Sequence, residues 1–184
     1  DLYPNGLHRD RILPAIELIK RVTDVVNVDA GIDYRRRTLT RAQTYYSPND
    51  DAAEKALSDL FHRLSSHNEG QVLHINHREI KAKAYAGSVA WFDFSELCVT
   101  ARSQTDYLEL IRLFDTILLS NVPVMTPAMA SQARRFTWLI DVMYDHNVKL
   151  FISAEAPAEA LYTEGQMANE FFRTVSRLVE MQSK

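Results

Sequence analysis

Two short apolar runs, Thr116-Ile-Leu-Leu119 and Val148-Lys-Leu-Phe-Ile152, flank one long amphipathic stretch, and no other feature of the chain restricts its fold as much. An apolar run of this length is a strand buried on both faces. The stretch between the runs sets Phe136, Leu139, Ile140 and Met143 on one side of a helix, leaves Arg134, Arg135 and Asp141 for the outside, and stops at His146-Asn147. Strand, crossover helix and strand make a βαβ unit, predicted to be right-handed with parallel strands. The fold class is therefore α/β.

The flanking segments extend that layer. Tyr107, Leu108, Ile111 and Phe114 mark a helix before the first run. After the second, a Thr-Glu-Gly turn leads into a closing helix through Phe172, Val175, Leu178 and Val179. Farther upstream, Tyr46-Ser-Pro-Asn-Asp-Asp51 is turn chemistry with helix caps at Asn49, Asp50 and Asp51. Ala53, Ala56, Leu57, Leu60, Phe61 and Leu64 then share one helical face. From Gln71 the residues alternate, Val72, His74 and Asn76 against Leu73, Ile75 and His77, and a second strand ends in Val89–Phe94. This reads as a helix plus a small antiparallel satellite region. The expected division is 1–45, 46–102 and 103–184.

The amino-terminal end is a turn, Pro4-Asn-Gly6, opening into a helix with Leu7, Ile12, Ile16 and Ile19, predicted to run to about Val22. A short strand follows at Val25–Val28, then Arg35-Arg-Arg37 with Arg41, a run that suits either a solvated face or phosphate contact. A turn with nothing before it leads us to expect a missing amino-terminal part. Leu161-Tyr-Thr-Glu-Gly165 echoes Leu2-Tyr-Pro-Asn-Gly6, each ahead of a helix carrying arginines.

Composition narrows the function classes. With 184 residues, 46% hydrophobic and 24% charged, the chain can bury one substantial core. A net charge of -3 disfavours nucleic acid or anionic membrane as the main partner. The single Cys98 excludes an internal disulfide framework, suits a reducing compartment and reads as a small buried thiol. His74 and His77, three apart on one strand, would point to opposite faces, so no metal site is expected. No apolar run approaches the ~20 residues that span a bilayer.

Read together, Leu2–Pro14, Asn27-Val-Asp-Ala-Gly-Ile-Asp-Tyr-Arg35, Ala133-Arg-Arg-Phe136 and Phe172–Ser183 resemble the carboxy-terminal half of the ZapE-type cell-division ATPases. These are the bacterial branch of the AFG-one-like AAA+ ATPases. Cys98–Tyr107 and Val148–Pro157 match that branch as well, so the resemblance covers nearly the whole chain. It implies the carboxy-terminal part of a P-loop AAA+ fold, with ATP and Mg2+ used by the full-length protein. It also implies that the full-length protein is a cytoplasmic homo-oligomer, recruited to the division site, that couples ATP hydrolysis to action on the tubulin-like protein FtsZ.

The departures matter equally. None of the five glycines, at 6, 31, 70, 87 and 165, belongs to a Gly-x-x-x-x-Gly-Lys-Ser/Thr run, and the Walker B and sensor-one segments of the family would precede Asp1. The chain alone is expected not to hydrolyse ATP. By motif position Arg9 resembles the arginine finger that reaches a neighbouring subunit's site, with Arg11 as competitor. Arg173 and Arg177, four apart on the last helix, are candidate lid-side phosphate contacts, with pairing to Glu170 or Glu180 as the plain alternative. Arg35 is a third candidate. The rival class is a non-enzymatic interaction module anchored by Tyr45, Tyr46, Trp91 or Trp138.

Overall fold

The computed structural model describes residues 9–23, 43–65 and 70–182, with residues 9–12 and 20 described by backbone alone. It divides into two units, Asp1–Tyr34 and Arg35–Lys184. The strand expected at Val25–Val28, and Arg35–Arg37 with Arg41, lie outside the described residues.

In the first unit, α1 (Arg9–Val22) ends where the sequence predicts. Pro14 lies inside it and lacks the N–H that would bond one turn back. Thr23 closes the helix, because its backbone N–H at 2.9 Å and its hydroxyl at 2.7 Å both donate to the Ile19 carbonyl.

The second unit contains β1 (Tyr45–Tyr46), α2 (Asp51–Leu64), β2 (Gly70–Ile75), β3 (Arg78–Ala86), β4 (Val89–Asp93), α3 (Gln104–Leu113), β5 (Thr116–Val122), α4 (Ala130–Asp145), β6 (Lys149–Ala154) and α5 (Ala168–Gln182). Its strands form one mixed sheet in the order β1-β6-β5-β4-β3-β2. The first four in that order are mutually parallel, and β3 and β2 extend the sheet as antiparallel hairpins. Ile117 stands opposite Leu150 and Leu119 opposite Ile152, so the two apolar runs are parallel neighbours as predicted. The antiparallel strands thus continue the sheet of the βαβ unit.

Alternation along the strands divides the core between two faces. On one, Leu57, Leu60 and Phe61 of α2 pack with Val89, Trp91, Leu118 and Phe151. On the other, Phe92, Ile117, Leu119 and Ile152 meet Leu110 of α3, Phe136, Leu139 and Ile140 of α4, and Phe171 and Leu178 of α5. Each large side chain so buried contributes about 1.5–3 kcal/mol. The starts of α2 and α3 are capped by side chains. Asp50 accepts from the Ala53 N–H at 2.9 Å, and Ser103 and Asp106 form a capping box at α3.

Several local readings change. The strand expected to run through Asn76 and His77 instead turns there, with φ of 48° and 64°, as a two-residue hairpin between Ile75 and Arg78. His77 is therefore a turn residue and His74 a strand residue. Gly87, φ 54°, opens a second hairpin that separates β3 from β4. On α5 the buried face is Phe171, Thr174 and Leu178, while Phe172 is 71% exposed and Val179 is also exposed. Thr174 tolerates burial because its hydroxyl donates to Thr137 at 3.0 Å.

Gly165 explains one copy of the sequence echo. Its φ is 119°, and a Cβ there would fall 2.2 Å from the Tyr162 hydroxyl and 3.1 Å from Pro127 Cα, so Tyr-x-x-Gly is a ring lying over a bare backbone. α5 begins three residues after Gly165, and α1 begins three residues after Gly6.

Candidate functional site

The two arginines nominated on the last helix converge on one acid. Arg173 Nη2 lies 2.5 Å from Asp141 Oδ2, and Arg177 Nη1 lies 2.5 Å from Asp141 Oδ1. A four-residue spacing places both guanidiniums on the side of α5 that faces α4. Arg177 also reaches Asp145 at 3.3 Å and stacks over the Tyr144 ring at 4.8 Å. The Tyr144 hydroxyl in turn donates to Glu180 at 2.6 Å. The acid paired with both arginines is thus Asp141, across the helix–helix contact, and Asp141 is not left outside but is only 13% exposed. Arg177 is 19% exposed and Arg173 65%, so the two are held unequally.

A second polar assembly lines the carboxyl ends of the parallel strands, where open α/β sheets usually place their ligands. Lys83 of β3 pairs with Glu54 of α2 and lies 4.9 Å over the Trp91 ring. Trp91 Nε1 donates to Ser120 Oγ at 2.8 Å, and Ser120 Oγ donates to Glu54 Oε2 at 2.9 Å. Beside this loop of bonds, Asn121 takes φ 64° at a register shift in β5. Its N–H donates to Ser153 Oγ at 3.1 Å, and its side-chain amide donates to Asp93 at 2.7 Å. Burial raises the Asp93 carboxyl, but hydrogen bonds from Ser95 and Asn121, with the Lys83 charge, outweigh it and hold Asp93 below its ordinary range.

The turn at this edge is not a P-loop. In a P-loop protein the turn between strand and helix offers glycine N–H groups and a lysine to phosphate. Here the corresponding turn after β1 is Ser47-Pro-Asn-Asp50, and the first turn of α2 carries Asp51 and Glu54. Those carboxylates already occupy the positive end of the helix dipole. Among the described residues no group of His, Cys, Asp and Glu could hold a metal ion.

The remaining nominations fall as follows. Arg9 is the first residue of α1, described by backbone alone, and Arg35 lies outside the described residues. The structure therefore brings Arg173 and Arg177 together and describes no contact for the other two. Cys98 is fully buried, and burial pushes its thiol far up despite the nearby Arg135 charge, so it is no nucleophile. Trp91 is buried, Tyr45, Tyr46 and Trp138 are half-buried, and the most exposed large apolar side chain described is Phe172. The Glu54–Lys83 assembly was missed by sequence reasoning. Its one legible signal is Ser120-Asn121, a polar pair directly after an apolar strand.

Comparison with known proteins places these features in context. All of residues 1–184 match the family model described as AFG1-like ATPase. The cell division protein ZapE of Escherichia coli K12 is 46% identical over 186 residues, covering 100% of this chain and 50% of that protein. Lactation elevated protein 1 homolog B of Danio rerio is 35% identical over 221 residues, covering 100% of this chain and 44% of its own length. An uncharacterized protein of Schizosaccharomyces pombe is 33% identical over 168 residues, covering 88% of this chain and 37% of its own length. The chain spans about half the length, or less, of the curated relatives it matches. No solved structure matches it.

Proposed function

This chain belongs to the AFG1-like ATPase family, and from that membership we propose that it is the carboxy-terminal part of a ZapE-type ATPase acting in cell division. The observation that carries the reading is 46% identity along the entire chain to a cell division protein. Membership implies nucleotide use by the full-length protein, and the acidic turn before α2 is not the loop that would hold its phosphates. ATP with Mg2+ supplies the phosphoryl chemistry there. The contribution of this chain is guanidinium charge.

In this reading Arg9, at the amino-terminal end of α1, is the finger offered to a neighbouring subunit of a homo-oligomer. Arg173 is the better lid-side candidate of the α5 pair, because it makes one ion pair and is largely exposed, whereas Arg177 is shared between Asp141 and Asp145. Arg35 stays a lower-ranked phosphate contact. The client is FtsZ, and the protein works in the cytoplasm at the division site; no described helix is long and apolar enough to cross a membrane.

The test uses the full-length protein. Arg9→Ala is expected to lower ATP turnover roughly 10³-fold, the low end for an arginine finger, while nucleotide affinity stays within about twofold. Equal loss of binding and turnover would remove the finger role. ATP-dependent change in FtsZ sedimentation, abolished by the same substitution, is the expected readout for the client; an unchanged sedimentation profile argues against FtsZ.

A further inference from the structure

Arg134, Trp138, Asp141 and Asp145 recur at intervals that keep them along one side of α4. The carboxyl-terminal half of that side carries the Asp141 clamp. The amino-terminal half borders a cavity of about 270 Å3 lined by Ala130, Ser131, Arg134, Arg135, Trp138 and Gln166. Among the described residues no carboxylate lines it, in a chain where Asp and Glu outnumber Lys and Arg, 24 to 21.

The arginines of this cavity differ in counter-charge from five others of the chain. Arg78, Arg102, Arg112, Arg173 and Arg177 each pair with a carboxylate. Arg134 has only the Met167 thioether, 3.6 Å from its Nη2, and no acid partner among the described residues. Arg135 donates to the carbonyl oxygens of Cys98 at 2.6 Å and Val99 at 3.3 Å, contacts that orient its guanidinium without neutralising it. Two guanidiniums, a serine hydroxyl, a glutamine amide and an indole N–H make a lining dominated by donors. α4 opens here without a side-chain cap.

We propose that this cavity binds a phosphate group, with Arg134 as the principal contact and Arg135 as a pre-oriented second. Planar guanidinium forks match phosphate oxygens, and the cavity volume suits a phosphate or pyrophosphate group rather than a peptide segment. The proposal does not depend on the finger role of Arg9. Its phosphate comes either from a nucleotide or from a free inorganic anion.

Calorimetry at constant ionic strength, with Trp138 emission as a second signal, tests this using inorganic phosphate, pyrophosphate and ATP as probes. Saturable binding of at least one probe is expected, weakened tenfold or more by Arg134→Gln and unchanged by Arg112→Gln, which removes the same charge from an exposed site on α3. Arg134 is exposed, so the variant should keep the parent melting temperature. Loss confined to ATP identifies a nucleotide as the source, and equal loss for pyrophosphate identifies an inorganic anion. No saturable binding of any probe, or equal loss in both variants, overturns the proposal.

Discussion

The two ends of α4 hold arginines in opposite electrostatic states. Towards its carboxyl end, Asp141 is gripped by Arg173 and Arg177 from α5. Towards its amino end, Arg134 and Arg135 border a cavity that no acid lines among the described residues. The residue type is the same, and the helix is the same. What differs is whether a tertiary neighbour supplies the counter-charge, so the first group works as a fastener and the second remains available to something outside the chain.

Substitutions rank the two ends directly. Asp141→Ala removes two ion pairs at once and is expected to destabilise the protein by about 2–4 kcal/mol in urea unfolding, the largest effect in the set. A value under ~0.5 kcal/mol would remove the clamp from the account. Arg177→Ala should follow at about 1–2 kcal/mol, since it gives up two carboxylates and the Tyr144 face. Arg173→Ala should cost less than half of that, because a mostly exposed pair is screened by solvent; a reversed order would mean that Arg173 is the real fastener. Arg134→Gln comes last, with no measurable loss of stability.

Satisfied acids elsewhere sharpen the contrast through pH. Burial raises the Asp106 carboxyl, but the Ser103 N–H, Asn76, the Ser103 hydroxyl and the Arg78 charge together lower it below the ordinary range. A depressed folded-state value stabilises the fold above the unfolded pKa of ~3.9, and that contribution is lost as pH falls through the lower folded value. Asp106→Asn should therefore flatten part of the acid limb of the stability profile below about pH 4. An unchanged acid limb would show that the capping box carries no net charge-dependent stabilisation.

The fold was legible where periodicity and turn chemistry agreed. The paired apolar runs gave β5 and β6 with their parallel pairing, and the acidic turn gave Asp50 as a cap. It was illegible where an unusual residue takes a left-handed turn. Asn76-His77 contains no glycine, and Asn121 sits inside a strand, so neither announces a change of direction. α5 offered two adjacent phenylalanines, and only packing decides that Phe171 turns inward and Phe172 outward. The partner of Arg173 and Arg177 was hidden for a related reason. Helical spacing nominates local acids such as Glu170 and Glu180, whereas Asp141 lies 32 and 36 residues away in sequence. Of the candidate site, the α5 arginines were readable as a pair. The absence of an acid beside Arg134 was not, because counter-charge is a property of the folded surface.

The Asp141 clamp also has a mechanical meaning. One carboxylate gripped by arginines a helical turn apart resists sliding along the helix axis, since a one-turn slip of about 5.4 Å would break at least one grip before a new one forms. α4 is followed by β6, the strand between edge strand β1 and β5, so a pull on α5 is handed through Asp141 to that side of the sheet. The last helix of this chain is thus held in two ways, by the burial of Phe171 and Leu178 and by a clamp that fixes its position along the axis.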